Sequence, residues 1–175
     1  MMAIETLALR TLLTVARQRD GLDETRCRMV LEFLDAAGSV DGVLQRTLTE
    51  LGLTEHKFSI LVALFALDPA AATPADLSVH TDVTRSAMTA LLDALEARGL
   101  VARRRDTRDR RVVYVGLTDP GRVAANAALM DYLRTADKLA QGVSPADQAA
   151  LRQSCALLHE SAGQFQPASA SPISP

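Results

Sequence analysis

The sequence contains no tryptophan, and aromatic residues make up only 3% of its 175 positions. A core without large rings must be built from Leu, Val, Ala and Met, the residues of packed helices. Only two cysteines occur, Cys27 and Cys155, which excludes a disulfide scaffold and fits a reducing cytoplasm. The longest apolar run, Ile60 to Leu67, falls far short of the ~18 residues that a membrane-spanning helix needs. The opening residues Met1-Met2-Ala3-Ile4-Glu5 have no basic stretch leading into an apolar core, so no secretory signal and no membrane partner are expected. There is no glycine-rich phosphate loop, no nucleophile beside a plausible base and no carboxylate pair, so an enzyme is not expected and nothing calls for a cofactor. Net charge is also nearly missing: 19 Lys and Arg against 21 Asp and Glu leave −2. As a total, that figure argues against nucleic acid as a partner.

What is present is helix punctuation in a chain that is 48% hydrophobic and 23% charged, the composition of a soluble globular protein. Over residues 4–18, Ile4, Leu7, Ala8, Leu12 and Val15 recur at spacings that predict an amphipathic helix ending near Asp20-Gly21. Over about 23–50, Val30, Phe33, Leu34, Ala37, Leu44 and Leu48 share one face, and Gly38 and Gly42 open the option of a kink. Thr54 can cap a helix through Leu67 with Phe58, Leu61, Val62 and Phe65 as its apolar stripe. Two later starts, Thr73-Pro74-Ala75-Asp76 and Ser144-Pro145-Ala146-Asp147, share a hydroxyl cap, a proline in the first turn and an acid. Between them Thr118-Asp119-Pro120-Gly121 opens a helix over about 120–140 with Val123, Ala127, Met130 and Leu133 along one side. His56 and His80 read as surface or cap residues. The end of the chain, from Pro167 to Pro175, is rich in Pro, Ser and Ala and is expected to be disordered.

One stretch departs from the helical pattern. Val101–Arg105 and Val112–Leu117 read as two strands joined by the polar segment from Asp106 to Arg111, a β-hairpin with a charged tip. Immediately upstream, Pro74–His80, a turn at Thr81-Asp82, and a helix from Val83 or Thr84 to Arg98 make a helix-turn-helix closed by Gly99. In its second helix Ala87, Leu91, Leu92 and Leu95 are expected to face a core. Thr84, Arg85, Ser86, Met88 and Thr89 cluster at the N-terminal end, the end that a recognition helix presents to base edges. The charge total then reads differently. Residues 98–111 hold seven Arg and two Asp, a local charge of +5, and the rest of the chain carries −7. A basic hairpin on an acidic body is a directed electrostatic footprint for a phosphate backbone.

The order Val83-Thr84-Arg85-Ser86, Leu91-Leu92-Asp93-Ala94-Leu95-Glu96-Ala97-Arg98-Gly99-Leu100-Val101, Asp106-x-x-Asp109-Arg110-Arg111 and Leu117-Thr118-x-x-Gly121 resembles the winged helix of MarR-type bacterial transcription regulators. Leu53-Thr54-Glu55-x-x-Phe58 and Ser144-Pro145-x-Asp147-Gln148-x-x-Leu151 are similar to helix starts of that family, so the resemblance covers about 22–160. It implies a mainly α fold with a small β-hairpin wing and N- and C-terminal dimerisation helices. It further implies a homodimer whose two winged helices grip a pseudo-palindromic stretch of double-stranded DNA. By position the base readers would be Thr84, Arg85, Ser86, Met88 and Thr89. The wing would present Arg105, Arg108, Arg110 and Arg111, with Asp109 orienting a neighbouring arginine. Two positions depart from the family pattern: Asp82 stands where many members have Gly, and Ala90 where a basic residue or Gly is frequent.

The expected organisation is an added N-terminal helix over 1–21, a dimerisation helix over 22–52, the DNA-binding domain over 53–119, C-terminal dimerisation helices over 120–165 and a tail over 166–175. The resemblance also implies a transcriptional repressor released by a small apolar or aromatic effector, bound near helices 30–44, 58–65 and 123–133. Two other readings stand beside it. Cys27, between Arg26 and Arg28, and Cys155 would make a redox-sensing regulator of the same fold, though aromatic partners for such a thiol are missing around Cys27. The alternative is a winged-helix protein-interaction module that does not read DNA. Cys155 and His159 stand four apart on one helix face, but two ligands do not complete a metal site, and none is expected.

Overall fold

The computed structural model describes residues 6–81 and 83–165. Among them lie seven helices and one antiparallel hairpin. The expected disordered tail, Ile4 of the first helix and Asp82 of the turn fall outside the described residues. The chain forms two compact units, one up to Ala136 and a second from Asp137.

In the first unit, α1 (Leu7–Gln18) starts at Thr6, whose hydroxyl accepts the Leu9 N–H at 3.2 Å. It lies against α2 (Glu24–Glu50) and buries Leu13 and Ala16, while Leu12 and Val15, expected on the inner face, stay exposed. Gly21, at φ +84°, makes the reversal that a side chain would resist. Arg17 then closes a bidentate pair on Glu24, both N···O distances being 2.8 Å. The two glycines of α2 do not break it. Gly38 has open space around it, and a cost of about 1 kcal/mol per glycine is not enough to interrupt a helix of 27 residues.

The core is gathered around α3 (Glu55–Leu67), α4 (Pro74–His80) and α5 (Arg85–Ala97), each capped by the threonine expected, with Thr73 and Asp76 forming a reciprocal capping box. Ile60, Leu61, Leu64, Leu77, Met88, Leu92 and Leu95 are among its most deeply buried members, with Leu48 and Val115 beside them. On α3 the expected residue Phe65 lies at the surface while Ile60 and Leu64 go inside, because this helix is apolar nearly all round and its pattern selects no face.

Two strands follow, β1 (Val101–Arg105) and β2 (Val113–Leu117), paired antiparallel with Val101 opposite Leu117 and Arg105 opposite Val113. Ala72 adds one rung on the far side of β2, exchanging both backbone bonds with Val115 at 2.8 and 3.0 Å. The wing is thereby stitched to the loop ahead of α4.

Next comes α6 (Asp119–Ala140), whose start explains the Leu-Thr-x-x-Gly pattern. The Leu100 carbonyl accepts the Thr118 N–H at 3.1 Å, the Thr118 hydroxyl donates to the Gly99 carbonyl at 2.6 Å, and that same hydroxyl accepts the Gly121 N–H at 3.0 Å. A β-carbon on Gly121 would run into the Leu100 backbone, so glycine is required there. Behind it Ala125, Ala128 and the half-buried Tyr132 follow on the inner face of α6, and Tyr132 stacks on Phe58 at 4.8 Å. The stripe read along one side, Val123, Ala127, Met130 and Leu133, lies on the outside of the single chain. Small residues let the helix approach its own domain closely, which leaves the larger side chains without cover. The second unit holds the end of α6 and α7 (Pro145–Gln164), capped by Ser144 and without a buried residue.

Gly121→Ala should destabilise the protein by roughly 2–4 kcal/mol through forced displacement of the Leu100 backbone. Gly38→Ala, with open space at its site, should instead hold or raise the melting temperature. Acid should act on the junction of α1 and α2. Hydrogen bonds from Arg17, then Arg28, with burial opposing, hold the Glu24 carboxyl down to about 2 from an ordinary 4.5. Its folded-state pKa is depressed, so the stabilisation is complete above about 4.5 and is lost as pH falls toward 2. Amide protection factors in α1, corrected for the intrinsic exchange rate, should therefore fall across that window, and Glu24→Gln should reduce that loss.

Candidate nucleic-acid interface

The helix-turn-helix is pinned on both sides of its turn. Thr81 is buried and donates its hydroxyl to the Leu77 carbonyl at 2.7 Å, and Val83 plugs into the core. Thr84 then caps α5, accepting the Ala87 N–H at 3.4 Å, and its hydroxyl meets that of Ser86 at 3.1 Å. Thr84, Arg85, Ser86 and Thr89 are exposed together at the N-terminal end of the helix, and Arg85 has no ion-pair partner among the described residues.

Met88 is not among them. It is 1% exposed, packed in the core, whereas Ala87, expected inside, is at the surface. The correction follows from helix geometry: Met88, Leu92 and Leu95 recur at i, i+4 and i+7, one continuous stripe, and Ala87 lies off it. That spacing is visible in the sequence and outranks the clustering of Met88 with its polar neighbours.

The seven arginines of residues 98–111 divide into two groups. Arg98 turns back to the end of α2, donating to the Gly52 carbonyl at 2.7 Å and the Leu51 carbonyl at 3.3 Å. Arg103 turns toward α5, where its guanidinium lies 2.6 Å from Asp93 and 2.7 Å from Glu96. Burial opposes its charge, but the two carboxylates outweigh that and raise its pKa above the usual arginine value. Arg104, Arg105, Arg108, Arg110 and Arg111 are exposed.

The wing tip is shaped by its two acids. Asp106 Oδ1 accepts the N–H groups of Arg108 at 2.6 Å and Asp109 at 2.8 Å, an Asx turn that folds the tip back. Those bonds, with Asp109's the larger influence, hold the Asp106 carboxyl below its usual value. Asp109 accepts from the Arg111 backbone at 3.0 Å and grips its guanidinium through both oxygens at 3.1 Å. The organising role of Asp106 is not among the sequence expectations; an Asp two and three residues ahead of a turn's N–H groups is its signal. Arg105, Arg108 and Arg110 make no side-chain ion pair among the described residues, so their charges are available to a phosphate backbone.

Elsewhere in the same unit a cavity of about 380 Å³ opens along α3, lined by Phe58, Ser59, Val62, Ala63, Ala66, Leu67 and His80. His80, expected only as a surface or cap residue, thus also borders a cavity. Cys27 on α2 and Cys155 on α7 are free, half-buried thiols. Among the described residues no group of three His, Cys, Asp or Glu is placed to hold a metal, and no helix is long and apolar enough to cross a membrane.

A capped recognition helix, a pinned turn and an arginine-tipped hairpin define a winged helix-turn-helix. Residues 51–112 match the model of the MarR family, so this segment is similar to that family's winged helix. The chain is 32% identical over 101 residues, 58% of its own length, to the HTH-type transcriptional repressor YetL of Bacillus subtilis, and spans 60% of that relative's length. The solved structure of the transcriptional repressor CouR bound to a 23-mer DNA duplex superposes with a TM-score of 0.63 at 28% identity, covering 73% of this chain and 89% of that one. BpsR of Bordetella bronchiseptica, described with regulation of its DNA binding by 6-hydroxynicotinic acid, gives a TM-score of 0.60 at 25% identity, over 73% of this chain and 90% of that one.

Substitution at two nearby positions separates core from reader. Met88→Ala should cost roughly 2–5 kcal/mol in unfolding free energy, the range for emptying a buried Met site. Arg85→Ala should leave the melting curve unchanged and weaken binding to the preferred duplex. Thermal unfolding and a DNA titration on the two proteins check both statements.

Proposed function

We propose that the protein is a sequence-specific DNA-binding transcriptional regulator acting as a homodimer, a repressor released by a small apolar or aromatic effector. The observation that carries this is the joint presentation of Thr84, Arg85, Ser86 and Thr89 at one helix end beside a wing whose Arg105, Arg108 and Arg110 have no internal ion pair. A recognition helix places such N-terminal side chains against base edges in the major groove, where Arg grips guanine O6 and N7. An arginine-bearing hairpin alongside suits the flanking minor groove. The relatives named as repressors, and the one bound to a duplex, support the same reading.

The dimer rests on uncovered apolar surface. Met29, Val30 and Leu34 on α2, Val123, Met130 and Leu133 on α6, and Leu151 and Leu157 on α7 are all exposed in the single chain. Stripes of that kind mark surfaces that another chain covers. A second copy would supply the second reading head that a pseudo-palindromic site requires. The domain organisation expected from the sequence, with helices before residue 53 and after residue 119 serving the dimer, belongs to this proposal.

For the effector, the cavity along α3 supplies an apolar wall with Ser59 and His80 as its polar groups. An occupant there touches the helix that precedes the helix-turn-helix and the end of α4. It releases DNA if it binds better to the conformer whose recognition helices are wrongly spaced. The cavity uses the middle part of the region expected from the sequence, 58–65, and adds His80.

The wing gives the test. Arg110→Ala combined with Arg111→Ala should weaken binding to a preferred duplex and flatten the salt dependence. The slope of log K against log salt should fall by about 0.9 for each phosphate that the variant no longer neutralises. Wild-type protein that showed no preference for DNA beside its own coding region over random duplex would contradict the regulator reading. A partner protein still bound by the double variant would favour the interaction module instead.

A further inference from the structure

We propose that Arg103 is a positioning residue that locks the wing onto the recognition helix, and that it does so without contacting DNA. This role rests on the DNA-reading function and adds how its two parts are held in register.

Arg103 occupies the middle of β1, the edge strand of the hairpin, opposite Val115. Its backbone N–H donates to Glu96 Oε1 at 3.1 Å, and its Nη1 lies 2.7 Å from Glu96 Oε2, so one carboxylate holds both strand and side chain. The same Nη1 is 2.6 Å from Asp93 Oδ1, and Nη2 reaches the Thr89 carbonyl at 3.5 Å. These bonds run along two turns of α5, from the last exposed reader to the helix end. The side chain is only 26% exposed, against 91% for Arg111 at the tip. A guanidinium whose donors are aimed at two carboxylates and a carbonyl is committed to them.

The consequence is geometric. A two-stranded hairpin on its own is floppy, and the rung at Ala72 ties only the β2 side. The Arg103 clamp ties the β1 side to the helix that enters the major groove. Wing and helix then meet DNA as one body, and the distance between a read base and the flanking minor groove is set before binding. Pre-set geometry of this kind spares the complex the entropy loss of ordering the wing.

Two variants distinguish a clamp from a phosphate ligand, using full-length protein and a duplex selected by the wild type from a random pool. Arg103→Gln should bind about tenfold more weakly, with the slope of log K against log salt unchanged. Arg110→Gln in parallel should lower that slope by about 0.9. The isosteric pair Asp93→Asn with Glu96→Gln removes two negative charges beside the DNA and frees Arg103. Electrostatics alone would make it bind more tightly; the clamp requires it to bind more weakly, by a similar factor to Arg103→Gln. Hydrogen exchange in the free protein should show the wing amides of both clamp variants opening faster while α3 and α6 keep their protection. Tighter binding by the pair, a lowered slope in Arg103→Gln, or wild-type affinity in Arg103→Gln would overturn the proposal. A wild type that selects no duplex from the pool would instead overturn the DNA-reading function on which it rests, and is seen before any variant is made.

Discussion

The backbone carbonyl of Leu100 is the point at which the parts of this molecule are joined. It sits where α5 has ended on the left-handed Gly99 and β1 is about to begin, and it accepts the N–H of Thr118 at the end of β2. Gly121 then lets the first turn of α6 pass directly over it. Recognition helix, both wing strands and the long helix that leaves the domain therefore meet within a few residues. A carbonyl that must be satisfied and a helix that must come close can share this space only if one residue has no side chain. A shift at the start of α6 would therefore strain the wing and the end of α5 as well.

Charge is the second constraint, and its distribution is finer than the +5 on residues 98–111 suggests. Arg98 satisfies carbonyls at the end of α2, Arg103 is held by Asp93 and Glu96, and Asp109 takes the Arg111 guanidinium. What remains outward is concentrated at Arg104, Arg105, Arg108 and Arg110. The two acids that lower the local charge are structural. Asp106 folds the tip and Asp109 steadies an arginine, so they sharpen the footprint while reducing its total charge. The acidic remainder of the chain disfavours other approaches of a phosphate backbone, which narrows the docking orientation.

Much of this is legible in the sequence. The hydroxyl-capped helix starts at Thr54, Thr73, Thr84 and Ser144 are where the pattern puts them, the Thr6 cap of α1 is one that the pattern misses, and the hairpin strands agree to within a residue. These are local features, decided by residues within one turn. The departures are of another kind. Leu12 against Leu13, Phe65 against Leu64, and the outer against the inner face of α6 are choices between two apolar faces of one helix, and only the neighbouring helix decides them. On α6 the small residues Gly121, Ala125 and Ala128 turn inward, contrary to a ranking of faces by side-chain size. Met88 departs for the opposite reason, since its stripe with Leu92 and Leu95 is present in the sequence and is masked by polar neighbours. The pairing of Arg111 with Asp109 is local and legible, whereas the inward turn of Arg98 and Arg103 depends on partners seven or more residues away and has no local signal.

That α5 and the wing together read DNA is tested most directly by a hydroxyl-radical footprint on a duplex selected by the protein. Two half-sites about one helical turn apart are expected, with protection of the flanking minor grooves that Arg110→Ala combined with Arg111→Ala abolishes while the half-sites persist at higher protein concentration. Uniform protection along the duplex, or a footprint unchanged in the double variant, would contradict it.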